Sequence, residues 1–336
     1  KGILFKNAEA LEGTHKVKAV LFDKTGTLTQ GKPKVTDIIS LDPKFDEARL
    51  LSLAASIEKS SEHPIADAIV DEAKARNAKF QAVKSFKAVP GHGVTGKING
   101  KAISFGNLKM MKSAGGALAA GAIGRMEALE SEGKTSMVLL VNKTPVGLIA
   151  VADTLKETSP QAVAELKKLG LQVWMITGDN ARTAQAIARQ AGIENVLAEV
   201  LPSDKAAEVQ KLQARGLKVA MVGDGINDAP ALAQADLGIA MGSGSDIAID
   251  CGDVVLMRSD TMDVSRAIRL GRATISKIKQ NFFWALIYNI LGIPIAAAVF
   301  YPWTGWLLSP VIAGGAMALS SVSVVVNSLT LRWTKL

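Results

Sequence analysis

One aspartate and the loop after it constrain this chain more than any other feature. Residues 17–22 (VKAVLF) are apolar apart from one lysine and predict a buried strand, and residues 23–29 (DKTGTLT) predict the loop that follows it. A carboxylate at the carboxyl end of such a strand lies in the crevice where open α/β sheets bind ligands. There the carboxylate of Asp23 could attack phosphorus and form an acyl phosphate.

Short apolar runs alternate with helical patterns in the second half of the chain. Strands are predicted at residues 173–176, 219–222, 237–240 and 254–256, with helices such as 160–169 and 181–191 among them. This alternation is typical of a parallel sheet that is covered by helices on both faces. Residues 37–150 are predicted to form a separate insert, which contains a helix over 45–57 and a hairpin over 138–149.

Composition and charge narrow the class of protein. The 336 residues include a single cysteine, Cys251, and carry a formal net charge of +8. A single cysteine excludes an intrachain disulfide and fits a cytosolic location, and we expect this one to be a small buried residue. The sequence has no basic block with interleaved aromatic residues, the pattern that would indicate nucleic-acid binding. Because the chain begins at Lys1 rather than Met, we expect a piece of a longer protein.

Two long uncharged segments lie near the end of the chain. Neither Phe282 to Tyr301 nor Trp303 to Leu331 contains a charge, and each is long enough to cross a hydrocarbon core of about 30 Å. A pair of buried core helices is the alternative. Basic residues flank the pair, whereas the connection between the segments is aromatic and uncharged, which indicates a helical hairpin with both ends in the cytosol. We predict transmembrane helices over residues 280–301 and 306–331.

Polar motifs follow the other predicted strands. Thr177, with the Gly-Asp that follows it, comes directly after strand 173–176 and could hold phosphate oxygens through its hydroxyl and backbone amides. Lys205 could neutralise a phosphoryl group, although an isolated lysine is most often a surface charge. Asp224 and Asp228 follow strand 219–222 in the run GDGIND and offer the carboxylate oxygens that Mg²⁺ prefers.

Together these motifs resemble the P-type ATPases. DKTGTLT matches the phosphorylation motif of the family, and the run MVGDGINDAPAL over residues 221–232 is specific to it. The resemblance covers nearly the whole chain and is closest to the C-terminal part of the heavy-metal, copper(I)-exporting branch. It implies an α/β fold: a haloacid-dehalogenase-like, doubly wound parallel sheet from residues 1–36 and 151–272, an inserted α+β nucleotide-binding domain over 37–150, and then the transmembrane helical hairpin.

The resemblance also implies a role for each matched residue near Asp23. Asp23 is the phosphorylated nucleophile, and Mg²⁺ is bound by Asp23, the carbonyl of Thr25 and Asp224. The other matched residues contact phosphate, balance its charge or support the site, and they are Lys24, Thr25, Thr27, Thr177, Gly178, Asp179, Lys205, Asn227 and Asp228. Soluble haloacid-dehalogenase phosphatases usually have a second Asp two residues after the nucleophile. Here that residue is Thr25, so an aspartyl phosphate is expected to be long-lived.

The insert carries a second group of motifs, beginning with SEHP at residues 61–64. Its histidine could cap a helix that begins at Pro64 and also contact an adenine ring. A Gly-x-Gly and a Gly-Asn follow, and glycine lets the backbone approach a flat ligand closely. Heavy-metal P-type ATPases have these motifs in the same order, which implies that ATP is bound by Glu58, His63, Gly91, Gly93, Gly106 and Asn107.

Polar residues within the predicted spans are candidate ion contacts, although they could also hold the two helices together. A thioether is a soft ligand that suits Cu(I), and neither span has a carboxylate, which a Zn²⁺ or Cd²⁺ site would be more inclined to use. The match to the copper branch implies that Cu⁺ contacts Tyr288, Asn289, Met317 and Ser321, with Ser320 as an alternative.

The resemblance implies ATP-driven export of Cu(I) across the cell membrane through a Mg²⁺-dependent aspartyl phosphate. ATP and Mg²⁺ are the cofactors, Cu⁺ is the transported ion, and the soluble domains are cytoplasmic. The implied partners are membrane lipid and the remainder of the same pump, namely an actuator domain and the other transmembrane helices. A copper chaperone is a further candidate partner, and no nucleic acid is expected.

Three other functions remain compatible with the sequence. The first is a P-type ATPase that transports Zn²⁺ or Cd²⁺. The second is a soluble haloacid-dehalogenase-type phosphatase with a hydrophobic tail, against which Thr25 and the SEHP motif argue. The third is a catalytically inactive regulatory subunit, against which the presence of Asp23, Lys205 and Asp224 argues.

Overall fold

The computed structural model of the chain describes residues 2–61, 63–224, 228–242, 250–297, 299, 301–305 and 309–334. Of the residues predicted to act in the sites, Asn227 lies outside the described residues, and so does the side chain of Tyr288. The described part contains two sheets, one of seven strands and one of six.

The seven-stranded sheet is built around the strand that ends at Asp23. Its strands are β1 (Ile3–Phe5), β2 (Ala19–Asp23), β9 (Gln172–Ile176), β10 (Asn195–Leu197), β11 (Val219–Gly223), β12 (Leu237–Met241) and β13 (Val254–Leu256). Their order across the sheet is β1-β13-β12-β11-β2-β9-β10, and every pair is parallel except β1 with β13. Since β2 lies between β9 and β11, the carboxyl ends of these three strands meet at one edge, as predicted.

Helices cover both faces of this sheet, as the alternating pattern predicted. They are α1 (Ala8–Lys16), α6 (Ser159–Lys168), α7 (Ala181–Ala191), α8 (Lys205–Ala214) and α9 (Ala229–Gln234). Successive residues of β2 face opposite sides, so Val20 and Phe22 belong to one buried apolar cluster and Leu21 to the other. Cys251, which we expected to be buried, is half-buried.

The insert forms the six-stranded antiparallel sheet. Its strands are β3 (Lys34–Ser40), β4 (Val83–Val89), β5 (Gly93–Ile98), β6 (Lys101–Gly106), β7 (Thr135–Val141) and β8 (Thr144–Ala152), in the order β3-β8-β7-β6-β5-β4. Strands β7 and β8 are the predicted hairpin, whose turn residues Asn142 and Lys143 have φ values of 48° and 71°. Because the first and last strands, β3 and β8, pair with each other, the chain enters and leaves the insert at one place.

Helices also cover both faces of the second sheet. Helices α2 (Glu47–Glu58) and α3 (Pro64–Ala75) share one buried apolar cluster with it. Helices α4 (Leu108–Ser113) and α5 (Ala120–Ser131) contribute Met111 and Met126 to a cluster on the other face. The insert therefore has its own hydrophobic core.

The last part of the chain contains two long helices, α10 (Met262–Ala296) and α12 (Pro310–Leu329), with the short α11 (Tyr301–Thr304) between them. Helix α10 begins before residue 280, where the transmembrane helix is predicted to start, and its first turns bond to the rest of the fold. Arg269 pairs with Glu165, and Arg272 donates to the carbonyl of Leu169 at 2.9 Å. The helix also ends before the predicted residue 301.

One helical segment of the described chain, Val311–Trp333, is long and apolar enough to be a membrane span. The first half of the predicted hairpin does not meet that test within the described residues. Large apolar side chains are nevertheless exposed on both long helices, as Phe282 (64% exposed) and Met317 (71% exposed) illustrate. The two helices are joined by a hydrogen bond of 3.0 Å from Lys277 Nζ to Asn327 Oδ1.

Candidate active site

Two carboxylates and one ammonium group form the centre of the crevice, which we call the Asp23 pocket (Asp23, Lys205 and Asp228). Asp23 ends β2, Lys205 begins α8 and Asp228 precedes α9. Lys205 Nζ donates to Asp23 Oδ1 at 2.7 Å and to Asp228 Oδ1 at 2.6 Å. All three side chains are buried. The pocket therefore holds one cation between two carboxylates in a region of low dielectric.

Burial and charge act against each other in the Asp23 pocket. Burial and, after it, the charge of Asp228 raise the pKa of Asp23 to about 7, although Lys205 opposes both effects. Burial disfavours the charged form of Lys205, but Asp23 and Asp228 outweigh it and raise the pKa of the ammonium. Lys205 is therefore charged at neutral pH, and the ionised form of Asp23 depends on the positive charge beside it.

A second ion pair lies beside the pocket. Lys24 Nζ donates to Asp179 Oδ2 at 2.5 Å, and the hydroxyl of Thr177 donates to the same oxygen at 3.1 Å. Thr135 Oγ1, from strand β7 of the insert, donates to Asp179 Oδ1 at 3.0 Å. Burial raises the pKa of Asp179, but Lys24 and the two hydroxyls lower it below its ordinary value. The pair fixes the Lys24 ammonium next to the Asp23 carboxylate.

The loop over residues 23–29, called the Asp23 loop below, turns sharply after β2. Gly26 has a φ of 74°, a conformation that favours glycine. Thr25 is half-buried with ordinary backbone angles. Thr27 Oγ1 is buried and has no hydrogen-bond partner among the described residues. Because an unpartnered buried hydroxyl is costly, this atom fits a bound phosphate oxygen.

Asp224 and its neighbours approach the Asp23 loop from the end of β11. A Cβ atom added to Gly26 would lie 3.9 Å from Asp224 Oδ2, and one added to Gly223 would lie 2.3 Å from Asp228 Oδ2. Gly223 is thus required for the close approach of Asp228. In the loop after β9, a Cβ atom added to Gly178 would lie 3.4 Å from the carbonyl oxygen of Val200, so its backbone also has a close neighbour.

The oxygen donors at this edge fit Mg²⁺ in kind. The predicted set is two carboxylates, Asp23 and Asp224, with the backbone carbonyl of Thr25, and Mg²⁺ prefers oxygen ligands. Within the described residues no group of three or more His, Cys, Asp or Glu side chains could hold a metal. A set of two carboxylates and one carbonyl does not depend on such a group, and the assignment of these ligands stays a prediction.

Two residues of the predicted nucleotide site lie at the ends of neighbouring helices. Glu58 ends α2, its Oε2 atom is buried without a partner among the described residues, and burial raises its pKa to about 7. His63 caps α3, where its Nδ1 accepts from the backbone N–H of Ile65 at 3.2 Å. Desolvation lowers the pKa of His63. A neutral ring that accepts at Nδ1 carries its proton on Nε2 and can donate it to a ligand.

The glycine motifs of the insert come together, but in part for structural reasons. A Cβ atom added to Gly93 would lie 2.2 Å from the carbonyl oxygen of Phe105, and one added to Gly106 would lie 2.2 Å from that of His92. Asn107 Nδ2 donates to the carbonyl of Gly91 at 2.8 Å. Adjacent strands β5 and β6 thus need these glycines to pair closely, and their contact with ATP stays a prediction.

Where the structure describes them, the predicted ion contacts make hydrogen bonds within their own helices. Asn289 Nδ2 donates to the carbonyl of Ala285 at 3.0 Å, and Ser321 Oγ donates to that of Met317 at 3.4 Å, so both bond within their own helices. The carbonyl of Ser320 accepts from Ser323. In the described part of the chain no hydrogen bond joins Asn289 to Met317 or to the two serines, and the ion site stays a prediction.

Two residues that hold the Asp23 loop were not predicted from the sequence. Asp153 Oδ2 accepts from Thr29 Oγ1 at 2.5 Å and from the backbone N–H of Gly31 at 3.2 Å. Lys156 Nζ donates to the carbonyl of Gly26 at 2.8 Å. Their position in the sequence could have indicated this role, because both follow the buried strand β8, where the chain returns to the first sheet.

Comparison with known proteins places this site in a family. The family model described as haloacid dehalogenase-like hydrolase matches residues 17–236. The probable copper-exporting P-type ATPase of Archaeoglobus fulgidus is 54% identical over 331 residues, which are 98% of this chain and 40% of that protein. The chain therefore spans less than half the length of this curated relative.

Two solved structures are similar to most of this chain. The catalytic domain of the CPx-ATPase CopB-B, from a study of nucleotide binding, is 32% identical with a TM-score of 0.62, and the match covers 80% of this chain and 94% of that one. A zinc-transporting PIB-type ATPase in the E2.Pi state is 37% identical with a TM-score of 0.70, and the match covers 98% of this chain and 52% of that one. The fold and site define a haloacid dehalogenase-like hydrolase, and within that class the chain belongs to the P-type ATPases.

Proposed function

We propose that this chain supplies ATP binding, phosphorylation and part of the ion path in a pump that exports Cu(I) from the cytosol. The observation that carries this proposal is the contact of Lys205 with Asp23 at 2.7 Å, in a buried pocket at the carboxyl end of the central strand. A buried carboxylate that faces a fixed ammonium is suited to attack an anionic phosphoryl group, because the cation offsets the repulsion between the two.

The phosphoryl transfer follows from the positions of these groups. An Asp23 oxygen attacks the γ-phosphorus of ATP, a new O–P bond forms, and the bond to the bridging oxygen breaks as ADP leaves with its electrons. Lys205 and Lys24 neutralise the charge that gathers between carboxylate and phosphate, and the Thr27 hydroxyl and the backbone at Gly178 hold phosphoryl oxygens. Bound Mg²⁺ supplies further positive charge at phosphate oxygens.

The residue two positions after Asp23 sets the lifetime of the product. Thr25 has no group that can activate water as a carboxylate does. The aspartyl phosphate therefore persists until another part of the pump, the actuator domain, supplies that help. A persistent phosphoenzyme lets phosphorylation drive a conformational change before hydrolysis.

ATP reaches Asp23 through the contact between the two sheets. The insert touches the first sheet through the ion pairs Lys109–Glu199 at 2.5 Å and Arg182–Glu127 at 2.7 Å. Desolvation lowers the pKa of His63, and the charges of Asp179 and Lys24 also act on it. We infer that adenine binds at Glu58 and His63 while the phosphates extend to Asp23.

Copper is favoured over zinc as the transported ion. The Archaeoglobus relative named for copper export is 54% identical to this chain, whereas the zinc-transporting structure is 37% identical. The thioether of Met317 is a soft donor that suits Cu(I), and neither long uncharged segment has a carboxylate. We propose that Tyr288, Asn289, Met317 and Ser321 contact Cu⁺, with Ser320 as the alternative to Ser321, and that a copper chaperone delivers it.

ATP hydrolysis by the complete pump in lipid tests this function. Cu⁺ under reductant is compared with Zn²⁺, each with the unaltered protein and with Met317→Ala. Met257→Ala serves as the control, because Met257 is exposed (50%) just after strand β13 of the soluble part. We expect stimulation by Cu⁺ that is lost in Met317→Ala and kept in the control. Stimulation by Zn²⁺ alone would contradict the copper assignment.

A further inference from the structure

Lys156 is a buried lysine outside the Asp23 pocket, and it touches two parts of the fold at once. The residue is 7% exposed. Its Nζ donates to the carbonyl of Gly26 at 2.8 Å and to Ser259 Oγ at 2.9 Å. Gly26 belongs to the Asp23 loop, and Ser259 lies just before helix α10. One ammonium group therefore joins the backbone of the loop to the start of the long helix.

A second connection runs beside the first. Ser159 Oγ donates to the carbonyl of Leu28 at 2.8 Å and lies 3.0 Å from Thr261 Oγ1. Thr261 Oγ1 donates to the carbonyl of Thr27 at 3.4 Å. Three successive carbonyls of the Asp23 loop are thus held by side chains from the beginnings of α6 and α10.

The ammonium group of Lys156 is buried at an energetic cost. Among the described residues, both of its hydrogen-bond partners are neutral oxygens, and the carboxylates that act on its pKa are Asp153, beside the loop, and Asp260, before α10. Burial lowers its pKa to about 8, and the two carboxylates only partly oppose this. A buried cation without a close carboxylate partner destabilises the fold. Its hydrogen bonds to the carbonyl of Gly26 and to Ser259 offset part of this cost.

We propose that Lys156 is a positioning residue that joins the Asp23 loop to helix α10. Through the carbonyl of Gly26 it holds the loop in the conformation that presents Asp23, and through Ser259 it transmits a change in that loop to the start of α10. This proposal rests on the function proposed for Asp23, because it is phosphorylation of this loop that would have to be transmitted.

Hydrogen exchange of the whole chain in detergent tests the positioning without requiring phosphorylation. Lys156→Met removes the ammonium and keeps the length of the side chain, and Lys156→Arg keeps the charge. Lys167→Met is the control, since this lysine of α6 pairs with the exposed Glu194. We expect the amides of residues 24–29 to exchange about tenfold faster or more in Lys156→Met, at an intermediate rate in Lys156→Arg, and unchanged in the control. Unchanged exchange in Lys156→Met would overturn the positioning role.

A double-mutant cycle with Ser259→Ala tests the link to α10. We expect Lys156→Met to slow phosphorylation by ATP about tenfold while the affinity for ATP is unchanged, and Lys156→Arg to restore part of the rate. In the Ser259→Ala background the same substitution should have an effect at least threefold smaller. An equal effect in both backgrounds would overturn the link. If the unaltered chain is not phosphorylated, the function proposed for Asp23 fails, and the exchange experiment still decides the positioning role.

Discussion

Lys24 Nζ donates to Asp179 Oδ2 at 2.5 Å, which ties the residue after Asp23 to the crevice end of strand β9. Both side chains are about nine-tenths buried, with exposed fractions of 11% and 10%. Each partner therefore depends on the other for its charge, and the positive charge beside Asp23 depends on the pair.

Asp179→Asn should destabilise the first sheet and slow phosphorylation. Removing one partner of a buried ion pair leaves an uncompensated charge and costs about 3–5 kcal/mol. Hydrogen exchange of the β9 amides measures this cost. The control is Glu194→Gln, whose exposed pair with Lys167 should contribute about 1 kcal/mol or less. A similar, small effect of both substitutions would contradict the role given to Asp179.

Lys205→Met should nearly abolish phosphorylation by ATP. Without the ammonium, the pKa of Asp23 rises further, and the neutral carboxyl is a poor nucleophile. The ammonium also stabilises the charge of the transition state. Its removal should therefore lower the rate of phosphorylation about 10²–10³-fold, the usual effect of removing one such group. Lys211→Met is the control, because this lysine of the same helix is exposed and pairs with Glu208. A near-normal rate in Lys205→Met would show that the cation is dispensable.

Glu58→Gln should change how stability depends on pH. Burial raises the pKa of Glu58 to about 7 from 4.5, so between these values the folded chain holds a proton that the unfolded chain has lost. The free energy of unfolding should therefore fall as pH rises through this range, by roughly 3 kcal/mol at most from this group.

Thermal melting of the chain at pH 5 and pH 7.5 measures this difference. We expect Glu58→Gln to melt at a higher temperature than the unaltered chain at pH 7.5, with little difference at pH 5. Glu47→Gln, at the exposed beginning of the same helix, should have the pH dependence of the unaltered chain. The same pH dependence in Glu58→Gln would place the protonated group elsewhere.

His63→Gln should weaken ATP binding. Loss of one hydrogen bond or ring contact to adenine should lower the affinity about five- to tenfold, since a neutral hydrogen bond contributes about 1 kcal/mol. His92→Gln is the control, because this half-buried histidine has no predicted role. ATP titrations of the whole chain, followed by NMR, compare the two. Unchanged affinity in His63→Gln would remove this residue from the nucleotide site.

Much of the first sheet and its crevice could be predicted from the sequence. Buried parallel strands have continuous apolar runs, so β2, β9 and β11 were visible, and their polar residues had to meet at one edge. Asp23, Thr177 and Asp224 could be located at this edge in this way, and their roles stay predictions. The contact of Lys205 with Asp23 needed the resemblance, because an isolated lysine at the start of a helix has no signal of its own.

Contacts between distant parts of the chain could not be predicted. Thr135 lies in the insert and reaches Asp179 only because the two sheets meet, and no local pattern encodes that meeting. Lys156 looks like an ordinary helix-start lysine until Gly26 and Ser259 are placed around it. The change from charged to apolar residues indicated only the predicted transmembrane part of helix α10, whereas the helical backbone begins earlier, at Met262.

Transfer of phosphate from radiolabelled ATP to the chain, in detergent with Mg²⁺, tests the central claim most directly. The unaltered chain should acquire an acid-stable label that hydroxylamine removes, as an acyl phosphate requires. Asp23→Asn should acquire none while its helix and strand content is unchanged, and Asp204→Asn, beside Lys205 but exposed, should be labelled normally. A hydroxylamine-labile label that persists in Asp23→Asn would contradict the account.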